Sequence, residues 1–181
     1  NWYLDGNNAS VVSSDGNKTT VQMGSGYRGD LWLARSGKGK IVNVTPADYR
    51  YFAIKVGFKS QLVPGKNKPN GCIKLEIFDD GIKKIGPEYF GTGGDANNRY
   101  EILGASEIST TEPNVLYYDL QSKYKTVTPT DWNQVFDLVQ CKFVIADFPE
   151  TAQTYDLYWI RSFKSIEELQ AFVDSENNTN E

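Results

Sequence analysis

Histidine is absent from the 181 residues, methionine occurs once, and cysteine occurs twice. Without imidazole there is no Ser-His-Asp or Cys-His machinery, no His-ligated zinc or iron, and no histidine pH switch. Two cysteines do not make a disulfide framework. Cys72 and Cys141 lie on separate apolar segments, and either bond to each other or remain two buried thiols. No apolar run reaches the roughly eighteen residues of a membrane span, so no membrane insertion is expected. A net charge of −4 lacks the basic footprint of a nucleic-acid binder. No signal peptide is visible, and the chain opens on Asn1-Trp2-Tyr3, as an excised domain or a mature fragment would. Carboxylate chemistry and calcium binding stay possible, since they need only acids and carbonyl oxygens.

Aromatic residues are plentiful: 4 Trp, 11 Tyr and 9 Phe make 13% of the chain. The length suits one domain with one core. Short segments with period-two alternation lie between Gly, Asn, Asp and Pro clusters. They predict strands at Ser10–Ser13, Thr19–Met23, Asp30–Arg35, Lys40–Val44, Tyr51–Phe58, Cys72–Phe78, Arg99–Leu103, Val115–Leu120, Gln134–Leu138, Cys141–Ala146 and Tyr155–Ser162. So many short strands imply an all-β fold, an antiparallel β-sandwich or jelly roll. One short C-terminal α-helix is expected. Ser165 and Glu168 form a capping box, and Ile166, Leu169, Phe172 and Val173 make an apolar stripe ending near Asp174. Residues 1–174 are then a single domain, and 175–181 a polar tail or linker.

Alternation also assigns faces. Phe52, Ile54, Val56 and Phe58 point inward, and Tyr51, Ala53 and Lys55 outward. Leu31 and Leu33 inward leave Trp32 on the outer face, and Lys74, Glu76 and Phe78 oppose Ile73, Leu75 and Ile77. Outward Trp and Tyr beside Lys and Glu suit a sugar: the C–H face of a pyranose packs on the ring, and charged groups bond its hydroxyls. Trp32 is therefore the first candidate for carbohydrate binding, with Tyr51, Phe78, Lys55 and Glu76. Tyr27, Tyr89 and Trp132, on loops, are candidates for a groove rim. The alternative is that each ring is covered by a loop or tucked onto the core.

Other motifs carry less. The run from Gly91 to Asn98 lacks the Lys-Ser/Thr of a phosphate loop, and its Asp95, Asn97 and Asn98 miss EF-hand spacing. Arg28-Gly29-Asp30 matches an adhesion tripeptide of the kind that arises by chance. Sequons stand at Asn8, Asn17, Asn43 and Asn177. Eleven basic residues between Arg35 and Lys84 make a solvated face or an anionic contact. Glu76 and Glu101 lie on candidate strands, but nothing marks them as the close pair a glycosidase needs.

The runs Val115–Leu120, Phe143–Asp147 and Tyr155–Leu169, with Trp-Ile-Arg-Ser-Phe-Lys-Ser at Trp159–Ser165, resemble the closing strands and terminal helix of one known domain type. It is the galactose-binding-like jelly roll of polysaccharide-degrading proteins from gut Bacteroidetes. Tyr49–Val56 resembles an early core strand of the same domains. The resemblance implies a non-catalytic carbohydrate-binding module, secreted or at the cell surface and covalently linked to a catalytic domain. Some of these modules accompany xylanases, so xylan or xylo-oligosaccharide is the first ligand implied. No cofactor is required, and a structural calcium is possible. A structural or assembly domain of a surface protein, and a carboxylate-dependent β-sandwich glycosidase, remain the alternatives. Trp159, which shares a face with Leu157 by simple alternation, is expected to pack into the core.

Overall fold

The structure is a computed structural model, and it describes residues 5–24, 28–34, 42–44, 48–59, 72–79, 100–119, 136–146 and 154–178. Eleven strands and one helix occur among them. In chain order they are β1 (Asp5–Asn7), β2 (Ala9–Ser14), β3 (Thr19–Met23), β4 (Arg28–Ala34), β5 (Val42–Val44), β6 (Tyr51–Phe58), β7 (Cys72–Asp79), β8 (Glu101–Ile102), β9 (Asn114–Asp119), β10 (Phe136–Ala146), β11 (Thr154–Phe163) and α1 (Ile166–Asn178).

All pairings described are antiparallel, and they form two sheets, as the alternation predicts. One sheet has five strands. β10 pairs β7 along one edge and β4, then β5, along the other. β1 pairs the far side of β4. The second sheet runs β2-β3-β11-β6-β9-β8. The chain crosses repeatedly between the sheets, as in a jelly roll. The first crossing is made at Asn8, whose φ of 55° turns the backbone out of β1, a conformation asparagine tolerates better than most residues.

The core fills the space between the sheets. Leu31, Leu33, Ile73, Phe143 and Ile145 come from the five-stranded sheet. Val21, Phe52, Ile54, Val56, Leu116, Tyr118, Tyr155 and Leu157 come from the other. Phe143 and Tyr155 meet edge to face, with centroids 5.8 Å apart. Burial pushes the Tyr155 phenol well above its usual range.

Four features depart from the sequence reading or decide what it left open. The two segments predicted around 134–138 and 141–146 are one strand, with a register shift between Leu138 and Gln140. Cys72 lies opposite Ala146, whereas Cys141 lies opposite Ile77. Five residues of strand, about 17 Å, separate the two positions. That exceeds disulfide reach, so Cys72 and Cys141 do not bond to each other in this register.

The third departure is at Trp159. Leu157 pairs with Val56 but Trp159 pairs with Lys55, so Tyr158 is the extra residue of a β-bulge. Alternation reverses there. Leu157 stays in the core, while Trp159 and Phe163 face the outside of the six-stranded sheet. The fourth is the end of α1, which continues past Asp174 to Asn178. Its start is as expected. Ser165 Oγ accepts the Glu168 N–H at 3.2 Å, and Glu168 Oε2 accepts the N–H of Lys164 at 2.8 Å.

The helix lies on the outer face of the six-stranded sheet and closes a second apolar cluster. Leu169 is fully buried against Ala53, Val115 and Phe163, with Trp159, Phe172 and Tyr117 around them. Trp159 meets Phe172 edge to face at 5.3 Å. The carboxylate of Glu176 accepts from Trp159 Nε1 at 3.0 Å and from Lys55 Nζ at 3.1 Å, pinning the last turn to the sheet.

Candidate functional site

The described sequence-predicted residues stand on two different sheets. Trp32, Glu76 and Phe78 stand on strands of the five-stranded sheet, and Tyr51 and Lys55 on the six-stranded sheet. Tyr27, Tyr89 and Trp132 lie outside the described residues, as do Asp95, Asn97 and Asn98. Of Glu76 and Phe78 the structure gives the backbone partners, Lys142 and Gln140.

Trp32 does face away from the core, as alternation predicts, but it is not an open platform. Only 9% of it is exposed. The Lys142 ammonium sits 4.7 Å from the ring centroid, and the buried Asp30 carboxylate holds that ammonium at 3.2 Å. At 9% exposure, and with this ion pair beside it, the indole has little open ring to offer a sugar. The adhesion-like tripeptide is part of the sheet, since Arg28, Gly29 and Asp30 all belong to β4. Tyr51 is half-buried, edge to face with Tyr117 at 6.2 Å, and Arg50 lies 5.3 Å from its ring. That guanidinium is itself bidentate to Asp119 at 2.6 and 2.7 Å. Lys55 is the partner of Glu176.

On the outer face of the six-stranded sheet, a recess lies past the C-terminal end of α1. The bulge in β11 turns Tyr158 outward over Gly57 of β6. The ring lies along Gly57: a Cβ built there would stand 3.4 Å from Tyr158 Cε2, in van der Waals contact. Beside it, Asp156 of β11 faces Thr20 of β3. Its carboxylate accepts from Thr20 Oγ1 at 2.6 Å and from Lys18 Nζ at 2.8 Å. Lys59 Nζ stands 3.8 Å from the same carboxylate and is mostly exposed.

The third wall is the turn before β9. Asn114, buried, accepts the Ser109 N–H at 2.7 Å and donates to the Ser109 carbonyl at 2.9 Å. Ser109 Oγ then accepts the N–H groups of Thr111 and Glu112 at 3.2 and 3.1 Å. The result is a recess of about 140 Å³ lined by Gly57, Lys59, Thr111, Glu112, Asp156 and Tyr158. It offers one phenol ring, the carboxylates of Asp156 and Glu112, the Lys59 ammonium and the hydroxyls of Thr110 and Thr111.

Burial by itself pushes the Asp156 carboxyl up. The hydrogen bonds from Lys18 and Thr20 and the charges of Lys59 and Lys18 outweigh it and hold the group below its usual value. Lys18 is correspondingly raised by its hydrogen bond to, and the charge of, Asp156. A lowered carboxylate contributes stability above its unfolded value of about 3.9, and that contribution disappears as pH falls through the folded value. Asp156→Asn is therefore expected to flatten the acid side of the melting-temperature profile, below about pH 4. Identical acid slopes for variant and parent would contradict this.

The chain belongs to the family described as Domain of unknown function (DUF4979). Its model matches residues 1–169. The DUF4979 match takes in both sheets and the whole recess, and stops at Leu169 inside α1. No curated protein matches the chain. Among solved structures, the xyloglucanase domain of NopAA, a type three effector from Sinorhizobium fredii, in complex with cellobiose, is similar at 8% identity. The TM-score is 0.35, over 88% of this chain and 96% of that one.

Tyr158, Asp156, Lys18 and Lys59 are not among the site residues that the sequence predicts. Asp156 had a readable signal, being an acid at an alternating position of a closing strand. Tyr158 had none, because its orientation follows from the bulge. Among the described residues no group of three or more Cys, Asp and Glu side chains is placed to hold a metal ion.

Proposed function

We propose that this chain is a non-catalytic carbohydrate-binding module and that Tyr158 is its stacking surface. The observation that carries the reading is the Tyr158 ring, half-exposed over Gly57, forming the wall of a recess that also holds the polar side chains of Lys59, Thr111, Glu112 and Asp156. A pyranose needs this combination, an aromatic plane for its C–H face and charged groups for its hydroxyls. The Asp156 carboxylate is held in place by Lys18 and Thr20, so its remaining acceptor sites are oriented before a ligand arrives. The resemblance of the closing strands to modules of polysaccharide-degrading proteins points the same way. It also makes xylan or xylo-oligosaccharide the first ligand, a linked glycoside hydrolase the partner, and a secreted or surface location the setting. Affinity would be modest, with a Kd of about micromolar to millimolar. Tethering would raise the effective concentration of the linked enzyme on its substrate.

Affinity electrophoresis in soluble polysaccharides tests this. The parent chain is expected to be retarded by xylan, and Tyr158→Ala to weaken retardation at least tenfold. Retention unchanged in Tyr158→Ala moves the site elsewhere. No retardation by any glycan ends the binding hypothesis.

A second reading, an assembly domain, rests on β2. This edge strand exposes Val11 and Val12, the latter 57% accessible, and carries neither charge nor proline. Such an edge is open to pairing with another strand. A monomer at every concentration in light scattering would set it aside.

A further inference from the structure

We infer that the Tyr158 recess takes one terminal or branching sugar unit, entered end-on, rather than a run of linked units along the sheet. The inference rests on the carbohydrate reading and narrows it to a class of ligand.

Three sides of the recess are closed by parts of the fold. Along β6, the position next to Gly57 on the same face is Lys55, whose ammonium lies 5.8 Å from the Tyr158 ring and is bonded to Glu176 of α1. Farther along that face, Ala53 and Val115 are buried with Leu169 under the helix. A polysaccharide chain stacked on Tyr158 therefore has no further platform in that direction. Across β11, Lys18 and Thr20 are bonded to Asp156 and occupy the face of β3. Opposite them stands the turn Ser109–Pro113, held by Asn114. Among the described residues, the remaining side is bordered by the mostly exposed Lys59. The volume agrees: about 140 Å³ lies below the roughly 300–1,000 Å³ of pockets that enclose drug-sized ligands.

A dead-end subsite and an open groove differ in how affinity depends on chain length. In a groove each added sugar adds contacts until the platform is filled. In a dead end only the seated unit is bound, and the rest of the chain projects into water.

The test is calorimetric titration of the intact chain with xylose, xylotriose and xylohexaose, repeated with the glucose series, alongside Tyr158→Ala and Tyr158→Phe. The result expected is a Kd that agrees within about twofold from one unit to six in the series that binds. It should be weakened at least tenfold by Tyr158→Ala and little changed by Tyr158→Phe. Affinity climbing tenfold or more from one unit to six would overturn the single-unit inference and leave carbohydrate binding standing. Binding of a single unit that survives Tyr158→Ala would place the subsite elsewhere and overturn it too. No heat with any member of either series would remove the carbohydrate reading and this inference together.

Discussion

Phe143→Ala is expected to lower the unfolding free energy by about 3–5 kcal/mol, the range for deleting a buried aromatic ring. Phe143 is fully buried on β10, the strand that pairs β7 on one edge and β4 and β5 on the other. Its ring faces Tyr155 of the opposite sheet, so truncation opens a cavity at the centre of the sandwich. A domain of this size is stable by only about 5–15 kcal/mol, so the variant should populate unfolded chain at moderate denaturant. The check is equilibrium urea unfolding, in which the midpoint should fall with the slope unchanged. A loss under about 1 kcal/mol would mean that Phe143 is not packed between the two sheets as described.

Leu169→Ala should cost nearly as much, about 2–5 kcal/mol. Leu169 is the fully buried residue of α1, seated between Ala53 and Val115 of the sheet, with Phe163 beside it. The helix is 13 residues, a length that is marginal alone in water, so it is held by packing rather than by its own propensity. Replacing Leu169 should loosen the helix and expose Trp159, which a red shift in tryptophan emission would report. Unchanged stability and unchanged emission would contradict the docking of α1 on the sheet.

The strand pattern was largely legible because half-buried antiparallel strands alternate. Thr19–Met23 and Tyr51–Phe58 fall where the period-two pattern places them. β1 was missed because three residues, Asp5–Asn7, carry no alternation to read. The end of α1 was set too early because its apolar stripe stops at Val173. What extends it is a polar contact, Glu176 with Lys55 and Trp159, which no hydrophobic pattern records. Trp32 shows the limit of facing arguments. Alternation separates it correctly from Leu31 and Leu33, but it does not say whether the far face is covered, and Lys142 covers this one. The bulge at Tyr158 had the largest consequence. One unpaired residue moved Trp159 from the core to the helix interface and aimed Tyr158 over Gly57.

The most direct test of the account is a titration of the nitrogen-15-labelled chain with xylotriose, followed by amide chemical shifts. The account predicts that the perturbed amides cluster at Gly57, Lys59, Thr111, Glu112, Asp156 and Tyr158. Perturbations centred on Trp32, Asp30 and Lys142 of the other sheet would contradict it.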